Sequence, residues 1–222
     1  VVVIALVVFG ITSPLALLGF WITAFVTGTT LLEFYRGTVA RMRTNRENAF
    51  TALATLTARN RRRYGGYTIH LGVVLIAIGV IGTNFYQEET QGRLQPGEQM
   101  TLGRYVMIYE QLDEFMMDDN RQVDRATVSV YRDGAFVGQL FPRRDFYFDS
   151  QQPMTIPGVR SSIEDDFYVL LVDWEDIGTS GATFKVYLNP LINWIWVGGV
   201  IFILGTLVAT WPEAQERRRT AL

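Results

Sequence analysis

The sequence predicts an integral membrane protein of mixed α and β class: transmembrane helices with an inserted extracytoplasmic small antiparallel β-domain, a sandwich or an open barrel. Three observations predict it. The hydrophobic residues, 49% of the 222, are gathered into three apolar blocks around one acidic, aromatic-rich block. Charge is sorted by segment: 36–63 holds eight arginines against Glu47 alone, whereas 84–188 holds nine basic residues and eighteen acids. Basic short loops stay in the cytoplasm, so 36–63 is inside and the acidic block outside. That block also alternates polar with β-branched or aromatic residues between turn signals, as strands do.

Residues 1–35 hold a helix end and then a full crossing. The chain starts at Val1 inside an apolar run, as expected of part of a longer polypeptide, and 1–9 lack the charged start and cleavage site of a signal peptide. A single helix over the first apolar block would run to about 48 Å, too long for a hydrocarbon core of about 30 Å. The break is placed at Gly10-Ile11-Thr12-Ser13-Pro14, with Ser13 as N-cap and Pro14 in the first helical position, leaving 14–35 as the crossing. Glu33, near its cytoplasmic end, is expected to snorkel to the interface.

Residues 36–65 form a basic cytoplasmic loop with a short amphipathic helix over 44–60. Thr44-Asn45-Arg46-Glu47 reads as its capping box, and Phe50, Leu53 and Leu56 recur at helical spacing. This helix lies along the inner membrane face or serves as a packed connector; both stay open. Residues 66–85 are the second crossing and carry His70, on one face with Val74, Ala77 and Ile81 and about one turn from the cytoplasmic end. Gly72, Gly79 and Gly82 allow close helix approach.

The periplasmic β-domain spans 86–188, with strands expected at 101–110, 125–132, 135–141, 166–174 and 182–188, five or six in all. Asp133-Gly134 is a hairpin signal; Pro96-Gly97 and Pro157-Gly158 mark turns. The last crossing is 190–211, opened by Asn189-Pro190, with Trp194, Trp196 and Trp211 near its ends as interface anchors. A basic cytoplasmic tail, 212–222, follows, with Arg217, Arg218 and Arg219.

Composition removes several chemistries. Without cysteine there is no disulfide, cysteine-ligated zinc, iron–sulfur cluster or thiol catalysis from this chain. The acidic outer domain gives no support to nucleic-acid binding. Asp113 with Glu114, Asp118 with Asp119, Glu164 to Asp166 and Glu175 with Asp176 are paired acids of the kind used in glycoside hydrolysis or calcium binding, but none has EF-hand spacing and adjacent loop acids are ordinarily just solvated.

The one histidine, His70, follows Arg61-Arg62-Arg63 and Gly65-Gly66. An ionisable or metal-binding side chain in a bilayer is costly and usually has a task, and imidazole is the commonest metal ligand. By residue type alone, an imidazole hydrogen-bonded to a neighbouring helix carbonyl and a metal ligand are equally open. The arginines could pair with haem propionates but equally obey the positive-inside rule. Gly65, Gly66 and Gly72 could spare room for a flat macrocycle or serve helix packing.

Arg62-Arg63-Tyr64-Gly65-Gly66-Tyr67 followed by His70-Leu71-Gly72 resembles the C-terminal part of the CcmF family, the large membrane subunit of the system I cytochrome c maturation haem lyase. Leu31-Leu32-Glu33-Phe34 with Arg36-Gly37, and Asn189-Pro190-Leu191 with Trp194-Ile195-Trp196-Val197-Gly198-Gly199 and Gly205, agree with it in the family's order. The resemblance implies a bacterial inner-membrane protein that helps attach haem to apocytochrome c, taking haem from the chaperone CcmE and the apoprotein from a CcmH-like subunit. It implies that His70 is one axial iron ligand of a membrane haem b whose role is electron supply. The family's tryptophan-rich WWD motif, its periplasmic histidines and the first membrane ligand are not in this sequence; they are expected in a missing N-terminal portion or on another polypeptide, so this chain alone is an incomplete lyase. The alternative is a non-catalytic membrane-anchored assembly module that binds partners through its β-domain. A transporter subunit is disfavoured, because the crossings flanking that domain carry no lone charge or Gly/Pro interruption at mid-membrane.

Overall fold

A computed structural model describes residues 2–8, 10–174 and 181–211. Glu175, Asp176 and the basic tail 212–222 lie outside the described residues. The chain is an integral membrane protein of mixed α and β class and divides into two compact units, one formed by the residues up to Ile81 and those from Trp194, the other by Gly82–Asn193.

The first unit is helical. Helix α1 (Val2–Val8) stops where Gly10 takes a left-handed conformation (φ 86°), from which its N–H reaches Val7 O and that of Ile11 reaches Leu6 O, both at 3.0 Å. A residue with a Cβ pays to hold that φ, so the chain turns at its glycine. Helix α2 (Pro14–Asn45) restarts with Ser13 in the N-cap position, but the Ser13 side chain makes no capping bond. It also runs ten residues beyond the expected end. The Thr44 hydroxyl donates back to Ala40 O (3.0 Å) instead of capping a new helix, and the turn comes at Arg46 (φ 53°). The capping box therefore does not form. Glu47 instead grips Arg41 with two bonds of 2.8 and 2.9 Å, and Asn48 caps helix α3 (Ala49–Arg59), its Oδ1 accepting from Thr51 N–H at 2.8 Å.

Helix α4 (Arg61–Tyr86) begins five residues before the expected apolar start. Helix α5 (Asn193–Thr210) packs along it through glycines. A Cβ on Gly72 would stand 2.6 Å from Phe202 N, on Gly198 2.6 Å from Gly72 O, on Gly65 2.6 Å from Ala209 N and on Gly205 2.7 Å from Ile69 N. Gly65 and Gly72 thus serve backbone-to-backbone packing, whereas Gly66 faces open space. Helices α2, α4 and α5 are each long and apolar enough to cross a membrane.

The second unit is a β-sandwich. Its strands are β1 (Glu88–Leu94), β2 (Gln99–Leu102), β3 (Tyr105–Met117), β4 (Arg121–Arg132), β5 (Ala135–Leu140), β6 (Arg143–Tyr147), β7 (Gln152–Ile156), β8 (Gly158–Ser161), β9 (Asp165–Trp174) and β10 (Ala182–Pro190). One sheet has the order β1-β10-β9-β8, the other β2-β3-β4-β6-β7, with β5 also paired to β4. Asp133 and Gly134, at φ 50° and 81°, make the β4–β5 hairpin turn. Alternate residues of β3, β4, β9 and β10 supply the core, in which Tyr105, Met107, Tyr109, Val128, Val130, Phe167, Val169, Phe184 and Val186 are fully buried. Ten strands stand among the described residues where five or six were expected. The strands missed are charged or short: β6 reads as a loop because Asp145 is buried in it, made tolerable by Arg121 at 2.7 Å and Arg143 at 3.3 Å.

Three of the sequence's acid pairs serve this packing. Asp113 and Asp119 pair with Arg125 and Arg121, Glu164 with Arg104 and Arg132, and Asp166 accepts from Asn193 (2.6 Å). Tyr105, stacked on Phe167 with ring centres 4.7 Å apart, donates its hydroxyl to Asp165 at 2.7 Å. Burial first, and that bond second, push the Tyr105 phenol up to about 12. Tyrosine in the unfolded chain loses its proton near 10.0, so Tyr105 stabilises the fold fully below that pH, and the contribution is lost as pH rises toward about 12. Tyr105→Phe is expected to cost about 1 kcal/mol, because Asp165 keeps Ser162 as a donor, and to remove that alkaline loss; ultraviolet phenolate titration with chemical unfolding of both proteins checks it.

Candidate functional site

His70 lies on α4 nine residues after Arg61, about 13 Å along the helix. The glycine seam toward α5 passes through Ile69 and Gly72, and His70 is turned away from it. Its side chain is exposed, as are Val73 and Val80 on the same helix, whereas Val74 is buried. The expected face with Val74 is therefore replaced by an outward row. His70 makes no hydrogen bond with any described residue, so the neighbouring-carbonyl reading finds no partner here.

Beside His70, α2 and α4 border an open cleft of about 290 Å³, lined by Val26, Thr29, Thr30, Glu33, Tyr67 and His70. Thr29 donates to Phe25 O at 3.0 Å, which satisfies its hydroxyl within its own helix. Glu33 does not simply snorkel: its Oε2 accepts from the Arg63 guanidinium and from the Tyr67 hydroxyl (3.2 Å), and Arg63 Nε also donates to the Tyr67 oxygen (2.9 Å). Phe34, Tyr64 and Tyr67 form an aromatic cluster with ring centres 5.3 to 5.8 Å apart that fixes this end of the cleft.

Of the arginine run, Arg63 joins this cluster, while Arg61 donates through Nε to Ala58 O at 3.2 Å and lines a different groove. The involvement of Glu33, Arg63 and Tyr67 was missed from sequence. Its signal was there: Arg63, Tyr67 and His70 recur at i, i+4 and i+7, one face of a helix. Among the described residues no three His, Asp or Glu side chains converge as a metal-binding set.

Residues 85–190 match the family described as the CcmF C-terminal beta-sandwich. The chain is 32% identical over 159 residues to the probable cytochrome c-type biogenesis protein NrfE of Escherichia coli K12, covering 72% of this chain and 28% of that one. It is 33% identical over 177 residues to the cytochrome c-type biogenesis protein CcmF of Pseudomonas fluorescens, covering 79% of this chain and 25% of the other. It therefore spans about a quarter of the length of these relatives. A solved structure titled cytochrome c heme lyase CcmF shares the fold, with a TM-score of 0.74 at 20% identity, over 95% of this chain and 33% of that one.

Proposed function

Because the chain belongs to the CcmF family of cytochrome c-type biogenesis proteins, we propose that it forms part of a membrane haem lyase subunit and that His70 is one axial ligand of a membrane haem b. The observation that carries the ligand assignment is an exposed imidazole, without a partner among the described residues, at the edge of a cleft lined by Val26, two threonines and Tyr67. Its volume is at the low end for a ligand pocket, as one wall of a larger site would be. His70 would supply one ligand to the haem iron, and a second histidine ligand would have to come from outside this sequence, which has no other histidine. Val26 and the threonine methyls exclude water, and Arg63, held by Glu33 and Tyr67 at the end of the same cleft, is the cation placed for a haem carboxylate. When bound, haem b supplies one-electron chemistry, which serves to keep the haem being delivered reduced for thioether formation.

In this reading the protein sits in the bacterial inner membrane with the sandwich in the periplasm, following the segregation of arginines and acids. Apocytochrome c, the haem chaperone CcmE and a CcmH-like subunit are its partners, met through the sandwich and the rest of the subunit. The test is complementation. The intact gene is placed in a bacterium whose own relative has been deleted, and covalent haem staining of c-type cytochromes is measured. Recovery of staining is the expected result; no recovery, with the protein present in the membrane at normal level and its partner genes supplied, would overturn the lyase reading.

A further inference from the structure

Five polar side chains line the cleft beside His70, and three of them have partners. Glu33 and Tyr67 are joined to Arg63, and the Thr29 hydroxyl donates to Phe25 O of its own helix. Thr30 and His70 are left. Neighbouring threonines of α2 bond to their own helix: Thr23 donates to Phe20 O (2.9 Å) and Thr27 to Thr23 O (2.7 Å). The Thr30 hydroxyl makes no bond with any described residue, although Thr30 is only 6% exposed. Leaving a buried hydroxyl so costs about 1–3 kcal/mol, which a donor entering the cleft would recover.

The register of the two helices identifies that donor. Gly19 of α2 lies against Ile81 of α4, Glu33 against Tyr67 and Gly37 against Tyr64, so the helices are antiparallel and the contacts climb one as they descend the other. Thr30 stands three residues before Glu33, and His70 three residues after Tyr67. Both are displaced about 4.5 Å in the same direction, which sets them level on the wall of one cleft. We propose that the Thr30 hydroxyl accepts the ring N–H of His70 that faces away from iron and so fixes the plane and tautomer of the imidazole, an inference that rests on the haem ligation proposed above. A ring held at one nitrogen leaves its other N–H in need of a fixed oxygen acceptor. Glu33, the one carboxylate lining the cleft, is already committed to Arg63 and Tyr67. No hydrogen bond joins Thr30 to His70 in this structure; it forms when the imidazole is fixed at its other nitrogen. Thr30 is then a positioning residue. Its oxygen makes the ring a more basic ligand, which favours ferric over ferrous iron.

The test compares the intact protein in detergent with three variants. Thr30→Val keeps the shape and removes the hydroxyl, Thr30→Ser keeps the hydroxyl, and His70→Ala removes the ring. The readings are the midpoint potential of the b-type haem and the rate of haem loss to excess apomyoglobin. Thr30→Val is expected at the parent's protein level with haem bound. Its potential should rise by about 59 mV, a tenfold loss of ferric preference for one electron. Its haem loss should quicken about 10- to 100-fold. Thr30→Ser should stay close to the parent in both. Equal potentials in the parent and Thr30→Val, while His70→Ala loses or alters the spectrum, would overturn the role of Thr30 and leave the ligand in place. The same shift in Thr30→Ser as in Thr30→Val would make the effect one of packing and also overturn it. A haem spectrum untouched by His70→Ala, or no haem in any of the proteins, would overturn the ligand reading and this inference with it.

Discussion

His70→Ala is expected to strip the intact protein of most of its membrane haem b and to cut the yield of mature cytochrome c at least tenfold. Loss of a group that only hydrogen-bonds to a metal ligand already costs about 10- to 100-fold, and on the proposed assignment this substitution removes the ligand itself. The fold should not suffer, because His70 is exposed and hydrogen-bonded to no described residue, while the α4–α5 seam runs through Ile69 and Gly72. Protein level and resistance to proteolysis should therefore equal the parent's. His70→Gly with added imidazole separates ligation from other roles: recovery of haem content and cytochrome c would place the lost function on the ring itself. Normal cytochrome c output from His70→Ala would remove the ligand from this position.

The second large effect is expected at the glycine seam. Gly72 and Gly198 face each other so closely that a Cβ on either meets the other's carbonyl, at 2.8 and 2.6 Å, as well as the backbone nitrogen of Phe202 or Ile76. Backbone cannot turn aside as a flexible side chain can, so the helices must separate along their length. Gly72→Ala and Gly198→Ala should each cost about 1–3 kcal/mol, the range for overpacking a well-filled contact. Because both act by parting the same two helices, the double variant should cost clearly less than the sum, a coupling of at least about 0.5 kcal/mol. Gly66→Ala, with open space around its Cβ, is the control and should be neutral or stabilising by up to about 1 kcal/mol. Unfolding in graded denaturing detergent, followed by tryptophan fluorescence, measures all four; additive costs or a neutral Gly72→Ala would contradict the close seam.

Much of the fold was legible because membrane segments obey few rules. Three apolar stretches mark the helices long enough to cross a membrane without any tertiary information, and the Asp133-Gly134 turn locates its hairpin. What was not legible depended on partners distant in sequence. Strand β6 could not be read from Arg143-Arg144-Asp145, because its burial rests on Arg121 of β4. The Thr44 capping box competed with a back-bond to Ala40 and lost, a choice local spacing does not reveal. For the site, His70 stood out because an ionisable group among apolar residues has few innocent explanations. Glu33 looked incidental until α2 and α4 brought it to Arg63 and Tyr67 across more than two dozen intervening residues. On the proposed assignment the second iron ligand is not legible at all, since no second histidine is present in the sequence.

The most direct measurement is the absorption spectrum of the intact reduced protein in detergent, beside its His70→Ala version at matched protein concentration. The expected result is a b-type spectrum in the parent that is lost or altered in the variant, with the remaining haem, if any, in a different ligation state. Identical haem spectra in the two proteins, or no haem in either, would contradict the assignment of His70 to the iron.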